Sequence, residues 1–167
     1  MPLTHITRQG SIKMVDISAK RPTKRRAIVQ GRVLMKLATL QAIIQERLKK
    51  GNVLETARLA GIITAKETHK IIPLCHPINI THIKIDFRFQ QPKTIKNLKN
   101  LPSAVVEITT LVEGYDRTGF EMEAMVATSI AALTIYDMCK AIDRGMQITD
   151  IQLVEKAGGK SGHYKRS

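Results

Sequence analysis

Tryptophan is absent from this chain of 167 residues, and three phenylalanines and three tyrosines are its only large rings. A surface that stacks single-stranded nucleic acid needs a row of such rings, so the composition argues against one. Cysteine is also scarce. Cys75 and Cys139 cannot make a disulfide framework, and two reduced thiols fit a cytosolic protein. No apolar run approaches the roughly 20 residues that cross a bilayer, because Asp137 and Lys140 interrupt the longest one. The opening MPLTHITRQG lacks the apolar middle of a signal peptide. These absences lead us to expect a cytoplasmic chain with no membrane partner. Acidic residues are the last shortage, 14 against 27 basic ones, for a formal charge of +13. Such a chain attracts polyanions of any kind, nucleotide phosphates included.

What is present is led by Glu121–Ile142, EMEAMVATSIAALTIYDMCKAI. From Ala124 onward almost every position is apolar or small, as in a helix buried on every side. Asp137 and Lys140 interrupt it three residues apart, so they share a face, with Thr134 one turn earlier. A buried ion pair stabilises poorly, because desolvation offsets most of the Coulomb gain. The pair therefore reads either as a tether for a core helix or as part of a site.

The remaining elements follow in order. Residues 1–23 show no periodicity and read as a flexible N-terminal arm, and residues 24–167 read as a single domain. Lys24–Met35 alternates as a strand, with Ala27, Val29, Gly31, Val33 and Met35 on its apolar face. Thr39 can cap a helix through LQAIIQERLKK that ends at Gly51. Asn52 and Glu55 open a second helix in capping-box fashion, and its small residues Ala57, Ala60, Gly61 and Ala65 imply a close approach to a neighbour. Strands are expected over Ile78–Phe89 and Ser103–Glu113, with a polar, lysine-rich loop over Gln90–Pro102 between them. Gly145 is expected to close the long helix before a last strand over Gln147–Val154. Strand, helices, strand, strand, helix, strand is the β-α-β-β-α-β order of a ferredoxin-like α+β sandwich, here with an extra helix in the first crossover.

Three places could carry chemistry. Pro73-Leu74-Cys75-His76-Pro77 is stiffened by its two prolines and suits the presentation of a side chain. Cys75 reads as packing and His76 as a ligand-contacting or acid–base residue, since no second Cys/His cluster completes a metal site. Near the C-terminus, Lys156-Ala157-Gly158-Gly159-Lys160-Ser161-Gly162 can fold its backbone over an anion. It reads equally well as a free Gly/Lys-rich tail. It is no P-loop, because the first glycine of that motif would fall on Val154 and no helix follows.

Five motifs in a fixed order, KGNVLETARLAGI, IPLCHP, GFEMEAM, LTIYDMCKAI and EKAGGKSG, resemble the molybdenum cofactor biosynthesis protein C family, that of cyclic pyranopterin monophosphate synthase. The similarity runs from about Met14 to Lys165, and MVDIS resembles that family's usual start. The resemblance implies that 3′,8-cyclo-7,8-dihydroguanosine 5′-triphosphate rearranges to cyclic pyranopterin monophosphate with release of pyrophosphate. It implies a ferredoxin-like subunit in a homohexamer, a trimer of dimers, acting on a nucleotide-derived small molecule and not on nucleic acid. Substrate binding would fall on Leu74, Cys75, His76, Glu121, Met122, Glu123 and Lys156. Asp137 would be the catalytic carboxylate, with Lys50, Lys140 and Lys156 around it and Glu121 nearby. Lys140 and Lys50 would be its partners in proton transfer, His76 could join the relay, and Lys156 would meet the phosphates. No resident metal is implied, Mg²⁺ being at most a companion of the triphosphate. Lysines near Lys140 are expected to lower its pKa. The alternatives are a basic ferredoxin-like RNA-binding module, for which Phe87 and Phe89 are the only candidate stacking rings, and a regulatory nucleotide-binding domain without turnover.

Overall fold

A computed structural model describes residues 10–90, 104–160 and 162–167. The basic loop expected after Gln90 lies outside the described residues. The elements are β1 (Thr23–Met35), α1 (Leu37–Ile44), α2 (Val53–Lys66), α3 (Thr68–Ile71), β2 (Ile80–Gln90), β3 (Ala104–Asp116), α4 (Glu121–Cys139), β4 (Gln147–Ala157) and β5 (Tyr164–Lys165). The sheet is antiparallel throughout, in the order β2-β3-β1-β4-β5. Each strand–helix–strand crossover skips one strand, which is the ferredoxin-like topology. The C-terminal segment folds back as β5 on the edge of β4, and Arg166 donates its backbone N–H to the Val154 carbonyl.

Alternation decides which face of the sheet is covered. Ala27, Val29, Gly31, Val33 and Met35 of β1 are buried, as are Ala104, Val106, Ile108, Thr110 and Val112 of β3. α4 lies on this face through Ala124, Ala127, Thr128, Ala131, Ala132 and Ile135, with α2 beside it. The small residues of α2 bring it close. A methyl group on Gly61 would stand 2.6 Å from Ile85 Cδ1 and 2.9 Å from the Ala127 carbonyl oxygen.

Several sequence expectations need correction. α1 begins at Leu37 with Lys36 as its N-cap and ends at Ile44, well before Gly51. Thr39 is inside it, and its hydroxyl donates to the buried Asp143 carboxylate at 3.0 Å. Asp143 also accepts the Lys36 N–H at 2.9 Å, so an acid distant in sequence supplies the capping acceptor. Only half of the expected capping box forms on α2. Asn52 accepts the Glu55 N–H at 3.0 Å, while the Glu55 carboxylate pairs with Arg58 instead of returning to Asn52. α4 stops at Cys139 and a turn carries the chain to Gly145. Nor is α4 buried all round in the single chain, because Met122 and Leu133 are exposed. By length and composition α4 meets the criterion for crossing a membrane, but its packing on β1, β3 and α2 makes it the central core helix.

Candidate active site

The turn into α4 builds the first cluster. Phe120 is fully buried, with its ring against Gly114 of β3, where a methyl group would stand 2.4 Å from Phe120 Cζ. That anchor fixes the start of α4, so Glu121, Met122 and Glu123 stand beside the Leu74-Cys75-His76 segment. Three residues beyond that segment the chain is tied to the end of β3 by the Asn79 N–H, which donates to Asp116 Oδ2 at 2.9 Å. Together they line a cleft of about 440 Å³, closed on another side by Val15, Ile17 and Lys20. The expected N-terminal arm thus contributes a wall of the cleft.

Glu123 is the unusual group here. It is 3% exposed, and burial pushes its carboxyl up to about 7, assisted by the nearby acids Glu121 and Asp116 and opposed by its own backbone N–H. Burial also raises the Cys75 thiol, with Glu123 adding to the effect. The thiol therefore remains protonated near neutrality and is a poor nucleophile.

A second recess of about 310 Å³ shares Lys20, Thr118, Gly119 and Glu121 with the first and adds Arg25, Arg117, Lys156 and Lys160. Lys156 Nζ lies 3.2 Å from Glu121 Oε1. Gly158 and Gly159 adopt positive φ angles, +97° and +74°, which lets their backbone pack directly on Arg25. Arg25 in turn donates to the carbonyls of Asp116 and Arg117. One guanidinium so ties the glycine loop to the turn that precedes α4. Lys20, Arg25 and Arg117 escaped the sequence reading of the site. For Lys20 and Arg25 the signal was the basic run Lys20–Arg26, while Arg117 stands alone in the turn before α4; only the fold brings the three together in the recess.

The second cluster lies at the other end of α4. Asp137 Oδ1 is 2.6 Å from Lys140 Nζ, and Asp137 Oδ2 is 2.9 Å from Lys50 Nζ. Lys50 Nζ also donates to the Asp137 backbone carbonyl at 3.0 Å. The predicted three-residue spacing does bring Asp137 and Lys140 together, but this pair is about half exposed in the single chain and not buried. The two ammonium groups, Lys140 foremost, hold the Asp137 carboxyl down at about 2. Lys140 is raised by Asp137, not lowered as the sequence reading expected, because its nearest charge is the carboxylate and not another lysine.

The sequence-selected residues thus form two groups, and Lys156 and Glu121, expected around Asp137, belong to the one away from it, because they pair with each other at the start of α4. Leu74, Cys75, His76, Glu121, Met122, Glu123 and Lys156 surround the cleft and its recess, while Lys50, Asp137 and Lys140 form a separate triad. Glu123 and Asp137 are 14 residues apart on α4, about 21 Å along a helix axis. Among the described residues no group of three or more His, Cys, Asp or Glu side chains could hold a metal ion. The RNA-docking alternative gains no support. Phe87 lies under the Arg58 guanidinium at 5.1 Å, and with Phe89, which is exposed and not core-facing, it lines a groove with α1 and α2 on the helix side of the sheet.

The cyclic pyranopterin monophosphate synthase of Heliobacterium modesticaldum is 49% identical over 165 residues, spanning 99% of this chain and 98% of the relative. That of Parvibaculum lavamentivorans is 50% identical over 163 residues, 98% and 96% of the two chains. The synthase of Thermomicrobium roseum is 47% identical over 164 residues, 98% and 93%. Residues 14–159 match the MoaC family, and with relatives about half identical over nearly the whole chain, the chain belongs to that family.

Proposed function

We propose that this chain is a cyclic pyranopterin monophosphate synthase of molybdenum cofactor biosynthesis. It converts (8S)-3′,8-cyclo-7,8-dihydroguanosine 5′-triphosphate to cyclic pyranopterin monophosphate and pyrophosphate, a phosphorus–oxygen lyase reaction in the cytoplasm. The observation that carries this reading is the junction of two recesses, one holding a carboxyl poised near 7 and the other walled by cations.

The recess of Lys20, Arg25, Arg117, Lys156 and Lys160 takes the triphosphate, and its fixed cations stabilise the charge that grows on the departing pyrophosphate. Lys156 exchanges its contact with Glu121 for a phosphate oxygen. The cleft takes the purine-derived ring system among Leu74, Cys75, His76, Met122 and Glu123. A carboxyl titrating near 7 can both give and accept a proton at neutral pH, so Glu123 and His76 serve the ring-opening and ring-closing steps there. Asp137, held ionised, keeps Lys140 protonated as a donor and steers both Lys140 and Lys50 by direct contact. Mg²⁺, as a companion of the triphosphate, would enter with the substrate.

One nucleotide does not bridge about 21 Å along a single helix. A two-fold interface solves this by setting the Asp137 triad of one subunit against the cleft of its partner. The exposed Met122 and Leu133 of α4 and Leu59 and Ile63 of α2 are the apolar surface such a contact would cover. Three such dimers make the homohexamer. The direct test is incubation of the purified protein with the cyclic guanosine-triphosphate intermediate. Pyranopterin and pyrophosphate are expected in equal amounts, and binding without turnover would overturn the assignment in favour of a regulatory domain.

A further inference from the structure

Of the triad, Asp137 lies in the last turn of α4 and Lys140 is its C-cap, while Lys50 is delivered by a non-helical connection between α1 and α2. Two features of that connection stand out. Glu46 has φ +53°, in the left-handed region that residues other than glycine, asparagine and aspartate seldom enter. Such backbone persists where its surroundings compensate for it, and it concentrates near functional sites. The compensation here is a side-chain bond. Asn52 Nδ2 donates to Glu46 Oε1 at 2.9 Å, while the same amide accepts the Glu55 N–H through Oδ1 at 3.0 Å. Both ends of the Asn52 amide are used, one to cap α2 and one to hold Glu46. Inside the closed segment Gly51 turns at φ +88°, and Leu48 packs on the main core. A lysine loses much rotamer freedom when its ammonium is fixed. Fixing the backbone that carries it lowers the part of that cost borne by the loop.

We infer that Glu46 and Asn52 are positioning residues, a clasp that closes residues 46–52 so that the Lys50 ammonium meets the carboxylate and carbonyl of Asp137. The consequence for turnover rests on the synthase reading above, but the consequence for the triad itself does not.

The test separates the clasp from the cap and from the backbone turn. Asn52→Ser keeps a good helix cap but has no amide donor. Glu46→Gly keeps the left-handed turn at no steric cost but has no carboxylate. Glu46→Gln keeps the accepting oxygen. In the full chain, the Asp137 carboxyl is titrated by NMR, with Lys50→Ala as the reference for complete loss of the lysine. Asn52→Ser and Glu46→Gly are expected to raise the Asp137 pKa by about half or more of the Lys50→Ala change, and Glu46→Gln to leave it at the wild-type value. Turnover should fall about three- to ten-fold in kcat for the first two variants, with KM changed less than about two-fold, and stay at the wild-type level for Glu46→Gln. The inference is overturned if Asp137 titrates as in wild type in both Asn52→Ser and Glu46→Gly, if Lys50→Ala itself leaves it unmoved, or if Glu46→Gln behaves like Glu46→Gly. A wild-type protein without turnover would sink the synthase reading and leave the titration to decide the clasp.

Discussion

Two carboxylates on one helix are driven in opposite directions by their surroundings. Asp137 is about half exposed and flanked by two ammonium groups, so its charged form is favoured. Glu123 is buried near two other acids, so its neutral form is favoured. The signs of the pH dependence follow. For Glu123 the folded state binds more protons than the unfolded one between about 4.5 and about 7, so stability falls as pH rises through that window. Glu123→Gln should remove this slope and gain roughly 1–3 kcal/mol over wild type at pH 8, read by denaturant unfolding at pH 5 and pH 8. Equal slopes in both proteins would mean that Glu123 is ionised in the fold. For Asp137 the contribution is present above its unfolded value of 3.8 and lost as pH falls through about 2. Ion pairs this exposed add little to stability. Asp137→Asn and Lys140→Ala should therefore abolish turnover while leaving the melting temperature within a few degrees of wild type, as calorimetry beside a turnover assay would show.

At the scale of elements, the site depends on close approaches that glycine permits. Gly114 admits the Phe120 ring that starts α4, and Gly61 lets α2 settle against α4 and β2. Gly61→Ala places its methyl group against the Ile85 side chain, which can move, and against the Ala127 carbonyl, which cannot. Overpacking of this kind costs about 1–3 kcal/mol, and the expected outcome is a lower thermal midpoint with the cleft residues still in place. A midpoint at or above the wild-type value would show that the two helices can part without loss. The strands were well read from alternation, as the buried row Ala27, Val29, Gly31, Val33 and Met35 demonstrates. The start of α1 was misplaced, because the acceptor that fixes it, Asp143, lies more than a hundred positions further along the chain.

At the scale of the whole molecule, the cleft and the Asp137 triad lie at opposite ends of α4, and the proposed dimer with shared sites makes a definite forecast. Glu123→Ala and Asp137→Ala proteins, each inactive, should regain activity when mixed under conditions that exchange subunits, since each mixed dimer then contains one intact site. Exchange proved by mass without any recovered activity would place each complete site within one chain.

Local pattern alone determined the order of the main elements, though not α3 or β5, and the inward face of β1, because a side-chain period of two or 3.6 residues is written directly in the sequence. Spacing also determined that Asp137 and Lys140 would meet, since residues three apart on a helix are neighbours. The ordered motifs supplied the remaining candidates of the site. Only the tertiary structure decided that Lys50, and not Lys156, reaches Asp137 within one chain, that Lys20, Arg25 and Arg117 gather beside Lys156, and that Glu123 is buried among acids. Those facts depend on how the sheet and its crossovers bring distant segments together, and on the loss of water that sets the charge of a buried carboxyl. Neither is encoded in the neighbours of any one residue.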